Sequence, residues 1–115
     1  MKRSAETPKL DSLFTALAHR HRREIIIVLS QQPATITQLA QFRDLSLPAI
    51  HKHIKILEQA GLVTRKKMGR VNVLTLNRAS LRGVQKWVTQ FHAYWDSGTE
   101  TLENYIQAIE NKQQL

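Results

Sequence analysis

The sequence predicts a mainly α (α+β) fold, and three features point to it. Apolar residues recur at helical spacing through most of the 115 positions, two short extended runs flank Gly69, and the last third gathers most of the aromatic residues on one long stripe.

The elements follow in chain order. Residues 1–9 are a polar tail with no apolar face. Leu10, Leu13, Phe14 and Leu17 then sit at i, i+3, i+4 and i+7, the spacing of a helix with one apolar stripe. A basic cluster, His19 to Arg23, leads through Glu24 into Ile25, Ile26, Ile27, Val28 and Leu29. Periodicity alone fits that run to a buried strand or a helix. A strand would need a sheet partner that its short neighbours do not supply, so a helix over about 20–30 is expected.

Gln31 to Ala34 connect to Thr35, which stands three residues before Gln38 as a capping box requires. Ile36, Leu39 and Ala40 give the short helix that follows its apolar side, to about residue 42, and Phe42 to Leu45 form a turn. In the next segment Ile50, His53, Ile54 and Leu57 share one helical face, while Pro48, His51, Lys52, Lys55 and Gln59 share the other. Ser46 suits an N-cap, Pro48 a first turn and Gly61 the left-handed position past the end, so this helix spans about 47–60. His53 is expected to pack partly buried with a hydrogen bond.

The pattern then changes. Leu62 and Val63 precede Arg65, Lys66, Lys67, Met68, Gly69 and Arg70, and a β-branched run extends from Val71 to Leu76. Gly69 tolerates the positive φ of a hairpin turn, which places four cations near its tip. A short helix, a tight turn, a longer basic helix and a hairpin form a winged helix-turn-helix with a two-stranded β-wing, covering residues 10–77.

Residues 78–115 are a long C-terminal helical dimerisation segment of the same domain. Leu81, Val84, Val88, Phe91 and Trp95 recur at three- and four-residue steps, Trp87 and Tyr94 flank them, and Leu102, Tyr105, Ile106 and Ile109 resume the stripe. Ser97 with Glu100 suits a new helix cap and Gly98 a kink, so one kinked helix and two separate helices are both compatible. A compact winged domain has no room to bury so much apolar surface, and the simplest cover is the same face of a second copy.

Composition narrows the function classes. Seventeen basic residues against nine acidic ones give a formal charge of +8, which favours polyanions. No apolar run approaches the roughly 18 residues of a membrane span, and the N-terminus lacks a secretory pattern, so no membrane partner and a cytoplasmic location are expected. The absence of cysteine excludes disulfides and thiolate metal sites. His51 and His53 lie about 160° apart on a helix and cannot grip one ion, while His92 and Asp96, at i and i+4, furnish at most half a site. No metal and no cofactor are expected. No glycine-rich phosphate loop or paired nucleophile and base suggests an enzyme.

The stretches ALAHRHRREIIIVLS and ITQLAQFRDLSLPAIHKHIKILEQAGLV, with Met68-Gly69-Arg70 at the wing tip, closely resemble the ArsR family of bacterial winged-helix repressors. That family often reads ALADPTRRRIL and LSQPAVSRHLKVLEEAGLV there. Ser46, Pro48, Ala49, His53, Leu57, Ala60, Gly61, Leu62 and Val63 match type for type. The tail FHAYWDSGTETLENYI is similar to a subgroup without metal-binding cysteines, and the resemblance covers roughly residues 10–110. Two departures stand out: His19-Arg20-His21 replaces a common Asp-Pro-Thr, and Leu47 and His51 replace a Gln and a Ser.

The resemblance implies a dimer held by the first and last helices. Leu13, Phe14 and Leu17 would then join Val84, Trp87, Val88, Phe91, Tyr94, Trp95, Leu102, Tyr105, Ile106 and Ile109 at the interface. It also implies a recognition helix at 46–60, an operator of two inverted half-sites and negative regulation of transcription. The expected function is a homodimeric, sequence-specific repressor of double-stranded DNA. His51, Lys52 and Lys55 would enter the major groove, with Ser46, Leu47 and Pro48 at its edge, and Arg65, Lys66, Lys67 and Arg70 would hold phosphate or reach the minor groove. The alternative is a protein-interaction module that binds nucleic acid without sequence preference. No small-molecule inducer is legible in the sequence.

Overall fold

The computed structural model describes residues 2–96 and 98–113, with side chains at 9–91 and 102–113. In chain order it contains α1 (Lys2–Leu17), α2 (Arg20–Gln31), β1 (Ala34–Thr35), α3 (Ile36–Arg43), α4 (Leu47–Gln59), β2 (Val63–Met68), β3 (Val71–Leu76), α5 (Arg78–Asp96) and α6 (Gly98–Gln113). Two compact units divide the chain, residues 1–84 and 85–115, and the boundary falls within α5.

The first unit is a winged helix-turn-helix built on one core. Leu13 of α1, Ile25 of α2, Leu39 of α3, Ile50, Ile54 and Leu57 of α4, Leu62 and Leu74 are all fully buried. The run Ile25 to Leu29 forms part of a helix, as expected, because Ile25, Ile26 and Leu29 face inward while Ile27 remains exposed. That burial follows a helical stripe rather than strand alternation.

Three details differ from the expectations, and one alternative left open is decided. α1 reaches back to Lys2, so the segment expected as a polar tail is helical; Lys2, Arg3, Ala5 and Glu6 are good helix formers even without an apolar stripe. The wing has a third strand, because β1 pairs antiparallel with β3 through Ala34↔Leu74 and Thr35↔Val73, giving the order β1-β3-β2. The last third is two helices, with α5 ending at Asp96 and α6 starting at Gly98; the suggested cap between Ser97 and Glu100 lies outside the described residues. Finally, Leu13, expected at a subunit interface, is 1% exposed inside its own core, and Leu17 and Val84, expected there too, pack against that core. α1 uses its apolar stripe to join the domain, which leaves Phe14 on the surface.

Local chemistry sets the boundaries of α3, α4 and the wing. Thr35 Oγ1 accepts from the Gln38 amide at 3.1 Å while Gln38 Oε1 accepts from the Thr35 amide at 2.9 Å, the reciprocal capping box anticipated at the start of α3. Asp44, at φ 52°, ends α3 in the left-handed conformation, and its amide donates to the carbonyls of Ala40 and Gln41. Gly61 (φ 77°) turns the chain from α4 into β2, and its carbonyl accepts from Ser80 Oγ at 2.6 Å and Asn77 Nδ2 at 3.0 Å. These two bonds tie the root of the wing to the start of α5.

Ile54 lies at the centre of this packing and is fully buried. Ile54→Ala is expected to lower the free energy of unfolding by about 2–5 kcal/mol in denaturant titrations, and a loss below about 1 kcal/mol would contradict the assigned core.

Candidate nucleic-acid interface

The outward face of α4 is the first part of the site. Ser46 Oγ accepts from the Ala49 amide at 3.3 Å and fixes the N-terminus, with Pro48 in the first turn. Ile50, Ile54 and Leu57 point into the core, and Ser46, Leu47, Pro48, His51, Lys52 and Lys55 are all exposed. The division matches the one anticipated from the helical spacing. It leaves a cationic face with an apolar residue, Leu47, at its leading end.

The wing divides its cations in a way the sequence run conceals. β2 and β3 pair from Val63↔Leu76 to Met68↔Val71, with Gly69 at φ 64° in the turn. Successive residues point to opposite faces, so Arg65, opposite buried Leu74, and Lys67, opposite Asn72, share one face while Lys66 lies on the other. Lys66, Lys67 and Arg70 are exposed. Arg65 is not: its Nη2 donates to Glu58 Oε1 at 2.7 Å, and both side chains are about 30% exposed. Arg65, expected to hold phosphate or reach the minor groove, thus also joins the wing to α4 through the carboxylate of Glu58 on the last turn of that helix.

Behind α4 lies a cluster that the sequence did not announce. Arg22 is the buried charged residue of the described core, 9% exposed. Its Nε donates to the Ala16 carbonyl at 2.7 Å, Nη2 to the Thr15 carbonyl at 3.0 Å, and Nη1 to His53 Nδ1 at 3.3 Å. Arg23 Nη1 donates to the Leu17 carbonyl at 2.9 Å. Two arginines of α2 thus donate to carbonyls in the last turn of α1, and one of them also reaches α4. A guanidinium can only donate, so His53 Nδ1 accepts and its proton sits on Nε2. His21 Nδ1 accepts likewise from Arg43 Nε at 3.1 Å, and His19 Nδ1 from the His21 amide at 3.2 Å as the N-cap of α2. The three rings stand 4.5–5.6 Å apart.

His53 is partly buried and hydrogen-bonded, as its position on the inner face implied. Its pKa is lowered, first by burial and then by His19, Arg22, His21 and Lys52. That of His19 is lowered by partial loss of water and then by Arg22, His21 and Arg23. Among the described residues no group of three or more His, Cys, Asp or Glu side chains is arranged to hold a metal ion. The side chains of His92 and Asp96 lie outside the described residues.

The second unit presents apolar surface. On α5, Trp87 and Phe91 pair with ring centroids 4.7 Å apart at 59°, and Val88 is half-exposed beside them in sequence. Leu102, Tyr105, Ile106 and Ile109 of α6 are all exposed at the spacing of one helical face. Tyr94 and Trp95, expected on the same stripe, have side chains outside the described residues. No helix of the described residues is long and apolar enough to cross a membrane.

A basic helix seated beside a cationic hairpin defines a winged helix-turn-helix DNA-binding protein. A helix-turn-helix domain family model matches residues 17–66. The chain is 38% identical to the HTH-type transcriptional regulator YuzN of Bacillus subtilis (strain 168), over 68% of this chain and 94% of that one. It is 27% identical to the transcriptional repressor SdpR of the same organism, over 71% of this chain and 91% of that one. The crystal structure of the ArsR family transcriptional regulator RHA00566 superposes with a TM-score of 0.73 at 34% identity, covering 79% of this chain and 94% of that one. The chain belongs to the ArsR family of winged helix-turn-helix transcriptional regulators, and it is a DNA-binding regulator of transcription.

The lowered histidine pKa values carry a direction for stability. Between the folded value and the unfolded value of about 6.5, the unfolded chain binds more protons than the folded one. The contribution of His53 and His19 is therefore complete above about pH 6.5 and is lost as pH falls through their folded values. Thermal unfolding midpoints followed from pH 7.5 downward are expected to drop across that window, and His53→Gln is expected to flatten the drop; an unchanged slope in the variant would contradict the assignment.

Proposed function

We propose that the chain is a homodimeric, cytoplasmic repressor that binds an inverted-repeat operator, each protomer placing α4 in the major groove and the wing on the flanking backbone. The observation that carries this reading is the pairing of two uncovered surfaces of opposite chemistry. His51, Lys52, Lys55, Lys66, Lys67 and Arg70 are exposed cations or hydrogen-bonding groups on adjacent reading elements. Val88, Phe91, Leu102, Tyr105, Ile106 and Ile109 are exposed apolar groups on the terminal helices. The first set suits phosphate and base edges, and the second suits a matching face of another copy. Similarity to the repressor SdpR supports negative regulation over activation.

Selection of bound fragments from a random DNA pool by the full chain is expected to yield two inverted half-sites. Lys66→Ala with Lys67→Ala should weaken binding to all sequences alike and flatten the log-log dependence of affinity on salt by about 0.9 for each phosphate contact removed. Phe91→Glu should shift sedimentation at micromolar concentration from dimer to monomer. Recovery of single unpaired sites, or a monomeric wild-type chain, would overturn the dimeric repressor.

A further inference from the structure

Leu47 occupies an unusual chemical position. It is the first residue of α4, directly after the N-cap Ser46, and is 50% exposed, whereas Ile50, Ile54 and Leu57 of the same helix are fully buried. Its location is rigid, because the Ser46 cap and the fixed φ of Pro48 set the helix start on both sides of it. Around it the reading surface is polar and cationic, with His51, Lys52 and Lys55 exposed on the same helix. An uncovered aliphatic side chain at the leading tip of a cationic helix has little to gain from water and no hydrogen bond to offer.

We propose that Leu47 reads thymine, packing on the C5-methyl group of one thymine in each operator half-site. Among the edges that the four bases present in the major groove, the thymine methyl is the apolar one. Guanine, adenine and cytosine present donors or acceptors there, which a leucine would strip of water without replacing the hydrogen bonds. Leu47 thus attracts thymine through apolar burial and rejects the other bases through desolvation. His51 lies one turn on, about 40° around the axis and about 6 Å along it, so the two side chains share a flank of the helix. That rise is under two base-pair steps of roughly 3.4 Å, so Leu47 and His51 read nearby pairs in a fixed order along the site.

The inference rests on α4 being the DNA-reading helix, and its test separates the two. With the operator selected by the full-length chain, each thymine is replaced in turn by deoxyuridine, which removes only the methyl group, and binding is measured for the wild type, Leu47→Ala and Leu47→Gln. The side chain is half-exposed outside the core, so neither variant removes a packed group. One thymine per half-site is expected to lose about threefold to tenfold in wild-type affinity on demethylation, and to show no loss with Leu47→Ala. Leu47→Gln, which can hydrogen-bond adenine, should move the selected base at that position away from thymine. Sequence-specific binding without any methyl dependence, or methyl dependence that survives in Leu47→Ala, would overturn this inference and leave the reading helix standing. Binding without any sequence preference would overturn both.

Discussion

The placement of α4 depends on one buried cation, Arg22. Its guanidinium joins the Thr15 and Ala16 carbonyls at the end of α1 to His53 on the inner face of α4, so three helices meet at one planar group. Arginine is suited to this because its donors leave in a fixed fork and it keeps its charge in a desolvated site. Lysine would offer a compact charge without that fork. The bond to His53 uses the neutral imidazole as acceptor, in keeping with a pKa lowered first by burial and then by His19 and Arg22. Turned inward, His53 anchors the helix; His51, two residues away, is left outward among Lys52 and Lys55.

From that seat the rest of the reading surface follows. The Ser46 cap and the apolar stripe set where α4 begins and which face it buries, and Gly61 turns the chain so that the wing runs back beside it. Arg65 and Glu58 then fasten the wing to the helix. The result is two elements held in one register, with Lys66, Lys67 and Arg70 exposed and Arg65 paired to Glu58. Such bracing serves recognition because a misplaced wing would charge part of the binding energy to ordering it.

Much of this was legible in the sequence. The Thr35–Gln38 capping box, the Ser46 cap, the turn at Gly69 and the two faces of α4 depend on local chemistry and short periodicity, which a sequence displays directly. What was not legible depends on contacts between distant segments. Strand β1 exists only because β3 passes beside Ala34 and Thr35. The basic run from Arg65 to Arg70 gave no sign that its first member would find Glu58, and the run His19 to Arg23 none that its middle residue would be the most buried cation of the described core. The unusual His19-Arg20-His21 was visible as a departure from the family pattern, but its meeting with His53 needed the fold. Leu13 shows the opposite limit: periodicity identified an apolar residue without saying whether its partner lay in the same chain or another.

The central claim, that Arg22 and His53 act as one device to seat α4, is tested most directly by a double-mutant cycle on unfolding free energy with Arg22→Met, His53→Ala and the pair, all at pH 7.5. The account predicts that the two changes are coupled by about 0.5–3 kcal/mol, the double variant losing less than the sum of the singles. Losses that add within about 0.3 kcal/mol would contradict it and make the two residues independent neighbours.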